Sequence, residues 1–296
     1  MATATATATP RAVGPLLCAL AALACCSRTL APAAGTPAPL AGVERWWILI
    51  GHAQALEVID WRRAARDTQM VVLSGDPRIP LDSLPRETIR LGYLSVGEAD
   101  AHGGYWSDVR ERPFLVEPNP NWPDNMRVDV RDERWQELLL AREAPRLLGL
   151  GFQGFMLDTI DIPPYLERRD PARFAGSRRA LRDLVGRLRQ AHPKAILIAN
   201  GGEALSEVAP FVDGYMVEGV FATYDFRQRA YRATTEVERA WKLGQIDKAR
   251  AVAAHPVFTI EYADIGDVDL GRRAAAEATR RGFHPYVTVK ELNAVP

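Results

Sequence analysis

Beyond residue 26 this 296-residue chain contains no cysteine; its three, Cys18, Cys25 and Cys26, cluster near the amino terminus. That leaves the rest of the chain without disulfides or thiolate metal sites. The five histidines (His52, His102, His192, His255, His284) show no metal-ligand spacing, so neither metal nor cofactor is expected. An excess of one charge is missing as well, with 37 Lys and Arg against 37 Asp and Glu. Setting Arg11 and Arg28 aside from the 37 leaves 35 basic against 37 acidic side chains. This balance argues against nucleic acid as the main partner, since such binding rests on a positive surface. Basic pairs such as Arg168–Arg169, Arg178–Arg179 and Arg272–Arg273 read instead as solvated helix faces. The apolar stretch Val13–Cys26 is shorter than the roughly 20 residues a membrane-spanning helix needs.

The amino terminus carries the pattern of an export signal. A polar start with Arg11 leads into VGPLLCALAALACC (Val13–Cys26) and then a Pro/Ala-rich segment to about Leu40. The chain accordingly divides into a signal peptide or lipoprotein leader plus linker over residues 1–40, and a single domain over 41–296. Leu23-Ala24-Cys25-Cys26 resembles a bacterial lipobox, which makes Cys25 or Cys26 the candidate for a lipid anchor. It departs from that pattern in Ala22, where Leu is preferred before Cys25, and in Cys25 itself, where Gly or Ala is usual before Cys26. The expected product is an exported monomer, either secreted, periplasmic or held at a membrane as a lipoprotein.

From Trp46 onward β and α signals alternate. Eight strand candidates emerge: Trp46–Ile50, Met70–Leu73, Ile89–Ser95, Gly154–Leu157, Ala195–Ala199, Gly214–Val217, Val257–Glu261 and His284–Val289. Most are continuous apolar runs rather than alternating ones, as parallel strands covered on both faces require. Helical stretches lie between them. Asp132–Leu148 has Pro145 to end or kink it, Ser177–Ala191 has apolar spacing, and Asp269 is placed to cap the helix that Gly282 stops. Eight such units predict the α/β class, as a (β/α)8 TIM barrel. The stretch from Asp100 to Asp132 is longer than a barrel connection needs. It holds Tyr105, Trp106, Phe114 and Trp122, which either stack on sugar rings or pack the loop down.

Five of the strands end at or near an acid or amide: Glu98, Asp158, Asn200, Glu218 and Glu261. In a parallel barrel these ends converge on one face, which points to an enzyme handling a polyhydroxylated substrate. Gly201-Gly202 has no basic partner beside it, so phosphate is not expected there.

NPNWPDNMRVDV (Asn119–Val130), GFQGFMLDTID (Gly151–Asp161), ANGGE (Ala199–Glu203), DGYMVEGVF (Asp213–Phe221) and FTIEYAD (Phe258–Asp264), in that order, resemble glycoside hydrolase family 114. The resemblance runs from about Trp46 to the end and is closest to the bacterial branch with a GYLSVGEA-type third strand. It implies a (β/α)8 barrel, endo-α-1,4-polygalactosaminidase activity, retaining hydrolysis of an amino-sugar polymer, and a polysaccharide as partner. The family's aspartate after strand four matches Asp158 and its glutamate after strand six matches Glu218. Two departures stand out. Many relatives carry an aspartate after strand two where this chain has Ser74, with Asp76 beyond it, and the first strand lacks their Tyr-Gln pair.

Glycosidic hydrolysis uses one protonated and one ionised carboxyl, about 5–5.5 Å apart in retaining enzymes. Strands four and six lie two apart, so Asp158 is assigned as nucleophile and Glu218 as general acid/base. The apolar Val217 and Gly219-Val220-Phe221 flank Glu218, a setting expected to keep it protonated. Glu98, Asp161, Asn200, Glu261, Tyr262 and Asp264 are the candidate substrate-binding residues, with Glu98 or Glu261 placed to pair with a sugar ammonium. A carbohydrate-binding barrel without catalysis, and a glycosidase for another glycan, are the alternative readings.

Overall fold

The computed structural model describes the first two residues, Leu40, residues 42–51, Leu56, residues 59–264 and 266–293, and Val295. The leader with its three cysteines, and His52, lie outside the described residues.

Eight strands pair in parallel in chain order: β1 (Trp46–Leu49), β2 (Met70–Leu73), β3 (Ile89–Ser95), β4 (Gly154–Asp158), β5 (Ile196–Asn200), β6 (Gly214–Glu218), β7 (Val257–Tyr262) and β8 (His284–Thr288). These are the eight predicted strands, with ends shifted by a residue or two, and together they make a nearly closed TIM barrel. The alternation of side chains sorts every strand into two faces. Trp46, Ile48, Met70, Val72, Leu91, Met156, Ile198, Met216, Phe258 and Ile260 fill the interior, with Leu40 and Val43 packed in the same cluster. Their neighbours Trp47, Val71, Phe155, Leu157, Leu197, Tyr215, Val217 and Val257 face the helices. No backbone ladder joins β8 to β1 among the described residues. The seam is bridged by the Trp46 indole, which donates to the His284 carbonyl at 3.0 Å, and by Ile50 and Gly51 amides donating to the Leu292 carbonyl.

Three local features refine the sequence reading. Pro145 neither ends nor breaks its helix. Glu133–Glu137 continues through a π-helical turn at Leu138–Glu143, and Pro145 then sits at the start of Ala144–Leu150. Proline crowds the carbonyl four residues back, and the widened turn relieves that clash. The helix Val268–Arg280 is capped two residues earlier than expected, by Asp267 rather than Asp269; the Asp267 carboxylate accepts from the Leu270 amide at 3.0 Å. The segment after β3 is a small antiparallel sheet of Glu98–Asp100, Asn125–Val128 and Leu115–Pro118, not a bare loop.

That excursion is anchored by Trp135, fully buried, whose indole donates to the Val96 carbonyl at 2.8 Å. Tyr105 and Phe114 pack on the Trp135 ring, so these two aromatics hold the excursion to the barrel. The predicted basic helix faces are not simply solvated: Arg168 and Arg178 pair with Glu203, Arg178 also with Glu207, and Arg169 with Glu117.

Candidate active site

The interior face of the barrel ends upward in polar side chains. On β4 the alternation Met156, Asp158 brings a carboxylate to the mouth; on β5 Ile198, Asn200 brings an amide; on β6 Met216, Glu218 brings a second carboxylate. β7 adds Tyr262 after Ile260, and β3 adds Tyr93 after Leu91. Four of these were predicted for the site. Tyr93 was not, although the same alternation read along β3 marks it.

One amide nitrogen joins the two acids. Asn200 Nδ2 donates to Asp158 Oδ1 at 2.8 Å and to Glu218 Oε1 at 2.6 Å. Each acid also receives a tyrosine hydroxyl: Tyr93 donates to Asp158 Oδ2 at 2.8 Å, and Tyr262 to Glu218 Oε2 at 2.5 Å. Burial, and then the neighbouring Glu218 charge, push the Asp158 pKa up to about 7; the bonds from Tyr93 and Asn200 work the other way. Both tyrosines titrate well above their ordinary value, because burial and the adjacent carboxylates penalise phenolate, so they remain donors. Asn200 Oδ1 is buried and has no hydrogen-bond partner among the described residues.

The residues after the acids turn sharply. Thr159 has φ 59° and Gly219 φ 58°. Glycine adopts this left-handed geometry without penalty, but a β-branched threonine does not. Three hydrogen bonds hold Thr159 there: its hydroxyl donates to the Asp158 carbonyl, accepts from the Gly97 amide and meets Ser95 Oγ. Strain of this kind, about 1–3 kcal/mol, persists where surroundings over-determine it, and such positions cluster at functional sites.

A cleft of about 230 Å³ opens over the acids, lined by Asp158, Asp161, Asn200, Glu218, Trp241 and Lys242 with the Gly201-Gly202 turn. Asp161 holds that turn by accepting from the Gly202 and Ala204 amides at 2.8 and 3.1 Å, and burial raises its pKa. Trp241, 49% exposed, lies over Gly202, where a Cβ would come within 3.1 Å of the indole. Lys242 Nζ donates to the Glu218 and Gly219 carbonyls at 2.6 and 2.8 Å, and burial lowers its pKa. Periodicity along Glu236–Val252 gives no sign of either residue's role, since both reach into a loop rather than a core. A larger cavity, about 520 Å³, lies at the opposite end, by the starts of β2 and β3. That end of a barrel serves stability, and the acids are not there.

The remaining predicted binding residues lie elsewhere. Glu261 was expected among the convergent rim acids. It sits instead on the outer pleat with Val257 and Thr259, 0% exposed, where Oε2 accepts from the Phe221 and Ala222 amides at 2.8 and 2.9 Å. Burial raises its pKa to about 7. Glu98, 1% exposed, accepts from Asn119 at 2.8 Å within the excursion, and burial raises its pKa too. Asp264 is exposed and caps its own turn through the Gly266 amide. Ser74 follows β2 directly. Asp76 beyond it is held by Arg78 at 2.6 Å, which lowers its pKa, so it brings no free carboxylate to the mouth. Among the described residues no group of three or more His, Cys, Asp or Glu could hold a metal ion.

Comparison with known proteins places this geometry. The glycoside hydrolase domain of PelA from Pseudomonas aeruginosa superposes with a TM-score of 0.68 at 25% identity, covering 84% of this chain and 95% of that one. Ega3 of Aspergillus fumigatus, solved in complex with galactosamine, matches with a TM-score of 0.62 at 14% identity, over 84% and 92% of the two chains. At that identity the likeness to Ega3 is one of fold. An uncharacterised protein of Deinococcus radiodurans is 29% identical over 206 residues, 69% of this chain and 65% of its own. The uncharacterised protein MJ1477 of Methanocaldococcus jannaschii is 24% identical over 67% of this chain and 60% of its own, so less than two thirds of either relative is spanned. Among the described residues no helix is long and apolar enough to cross a membrane. The sequence profile of glycoside hydrolase family GH114 matches residues 80–296, from before β3 through β8 and both acids, and the chain belongs to that family.

Proposed function

We propose that the protein is an exported endo-glycosidase that cleaves α-1,4-linked galactosamine-containing polysaccharide with retention, Asp158 acting as nucleophile and Glu218 as general acid/base. The observation that carries the mechanism is the Asn200 bridge. Asp158 Oδ1 and Glu218 Oε1 are 2.8 and 2.6 Å from one nitrogen, so these oxygens are at most 2.8 plus 2.6, or 5.4 Å, apart. That upper limit is compatible with the about 5–5.5 Å of retaining enzymes and lies below the about 6.5–9.5 Å across which inverting enzymes place a water.

In the first step an Asp158 oxygen bonds to the anomeric carbon as the glycosidic bond breaks, and Glu218 gives its proton to the leaving oxygen. In the second, Glu218 takes a proton from water, the water oxygen bonds to the anomeric carbon, and Asp158 leaves. The high pKa of Asp158 is compatible with this. Its second cause is the Glu218 charge, which a proton on Glu218 removes, while the Tyr93 and Asn200 bonds favour the Asp158 carboxylate. Three acids against one engaged lysine line the cleft, which suits a sugar bearing an ammonium group. Asp161 and Asn200, in the cleft, are the candidate binding residues best placed to reach it. The galactosamine reading also leans on the family and on the Ega3 complex, and export on the leader sequence.

The test is reducing-end release from partly deacetylated α-1,4-linked galactosamine polymer, with Asp158→Asn and Glu218→Gln beside the wild type. Cleavage by the wild type that both variants lose while remaining folded is the expected result. Cleavage that survives either substitution would remove that residue from the mechanism, and a β-anomer as first product would rule out retention.

A further inference from the structure

Besides Trp241, the loops at the mouth carry a second aromatic group. Trp122, at the tip of the excursion after β3, and Phe226, in the hairpin Ala222–Asp225/Ala230–Ala233 after β6, meet with centroids 6.2 Å apart. Each is 42% exposed, among the few large apolar side chains on this surface. Tyr224 packs edge-on to Phe226 at 5.1 Å and to Tyr231 at 5.0 Å. Lys290, just after β8, sets its ammonium 5.5 Å from Trp122 and 5.0 Å from Tyr224, and its backbone amide donates to the Tyr231 hydroxyl. Loops following β3, β6 and β8 therefore build one platform.

The platform is continuous with the acids. Tyr224 and Tyr231 pack against the interior cluster that contains Tyr262. Tyr231 bears electrostatically on Tyr262, whose hydroxyl donates to Glu218. A polymer longer than a cleft of about 230 Å³ continues beyond it, and the loops at the mouth carry the part-exposed rings of Trp122 and Phe226. Stacking of pyranose rings on such faces needs no charge and adds apolar contact with little ordering cost, because the rings are already fixed by their neighbours.

We propose that Trp122 and Phe226 form a distal sugar subsite, which holds a pyranose ring of the polysaccharide away from the scissile bond and makes the enzyme favour long chains over short ones. The inference rests on the hydrolase reading above and adds to it a second point of contact. Isolated rings beyond the cleft gain nothing, whereas a chain reaching both points gains through its tether.

The experiment measures KM and kcat on a long, partly N-acetylated α-1,4-linked galactosamine polymer and on its trisaccharide, for wild type, Trp122→Ala, Phe226→Ala and Trp122→Phe. The ratio of polymer KM to trisaccharide KM is expected to rise about tenfold in each alanine variant, the scale of one lost aromatic anchor. Trp122→Phe, which keeps a ring, recovers most of that loss. An unchanged ratio, or equal losses on both substrates, overturns the subsite. A wild type that cleaves neither substrate overturns the hydrolase reading itself, and the subsite with it.

Discussion

Glu218 is the last residue of β6 and Glu261 the penultimate residue of neighbouring β7, yet they face opposite ways. Register pairs Glu218 with Ile260, so Glu261 is one residue along and one pleat over. Glu218 enters the mouth, where its partners are two side chains, Asn200 and Tyr262. Glu261 enters the layer behind, where its partners are the backbone amides of Phe221 and Ala222. Both belong to one construction. Lys242 holds the carbonyls of Glu218 and Gly219, and Glu261 holds the amides three and four residues after Glu218, so the turn behind Glu218 is gripped from both polarities. The comparison teaches that in a barrel an acid at a strand end says little until its pleat is known. The inner face works on what enters the mouth, and the outer face works on the protein's own backbone.

The sharpest break between the faces is expected in activity. Glu218→Gln should lower kcat on galactosamine polymer by about 10²–10⁴-fold, the usual contribution of a general acid/base, and Asp158→Asn by at least as much, with both variants folded. Losses under tenfold would place the chemistry elsewhere. Asn200→Ala comes next. It removes a donor shared by two carboxyls, and losing the worth of one such bond, about 1.5–3 kcal/mol, should cost roughly 10- to 100-fold in kcat/KM.

Outer-face changes should reverse the pattern. Glu261→Ala leaves two buried amides without an acceptor, at about 1–3 kcal/mol each, so denaturant unfolding should show the loss before kinetics does. Glu261→Gln retains an acceptor oxygen and should recover most of it. If Glu261→Gln cost as much activity as Glu218→Gln, the division between the faces would collapse.

The smallest effect is a difference in pH slope. Asp158 has a folded-state pKa raised from 3.8 to about 7, so across that window the native state binds the proton more tightly than the unfolded chain. Its contribution to stability is whole at low pH and is lost as pH rises through about 7. Asp158→Asn should therefore gain on the wild type in thermal midpoint between pH 5 and pH 8. A wild type gaining relative to the variant over that range would contradict the raised pKa.

Much of this architecture is legible in the sequence because it rests on local pattern. Continuous Val/Ile/Leu runs ended at acids gave the strands, and strand order followed from alternation with helices. Asp158, Asn200, Glu218 and Tyr262 are visible as strand-end polar residues. The fate of Glu261 is not, since its strand is apolar on both faces and the pleat depends on a register set by β6. Tyr93 lies two residues before the end of β3, so a reading of strand ends alone passes over it, and Trp241 and Lys242 hide on a helix whose turn toward the mouth is tertiary. Pro145 misleads for a related reason, because a π-helical turn is a response to packing that no propensity encodes.

The seam between β8 and β1 has a consequence for motion. Elsewhere the barrel's strands are zipped on both sides, while among the described residues these two share no backbone ladder and meet through an indole bond, the Trp46–Tyr286 ring contact and a pair of amides near the rim. Amide protons of β1 and β8 that point into the seam thus have the least to break before meeting solvent, and those of β4, β5 and β6 the most. The acids stand on the slow-exchanging arc. Opening at the seam is therefore expected to leave the spacing between Asp158 and Glu218, on the far arc, unchanged.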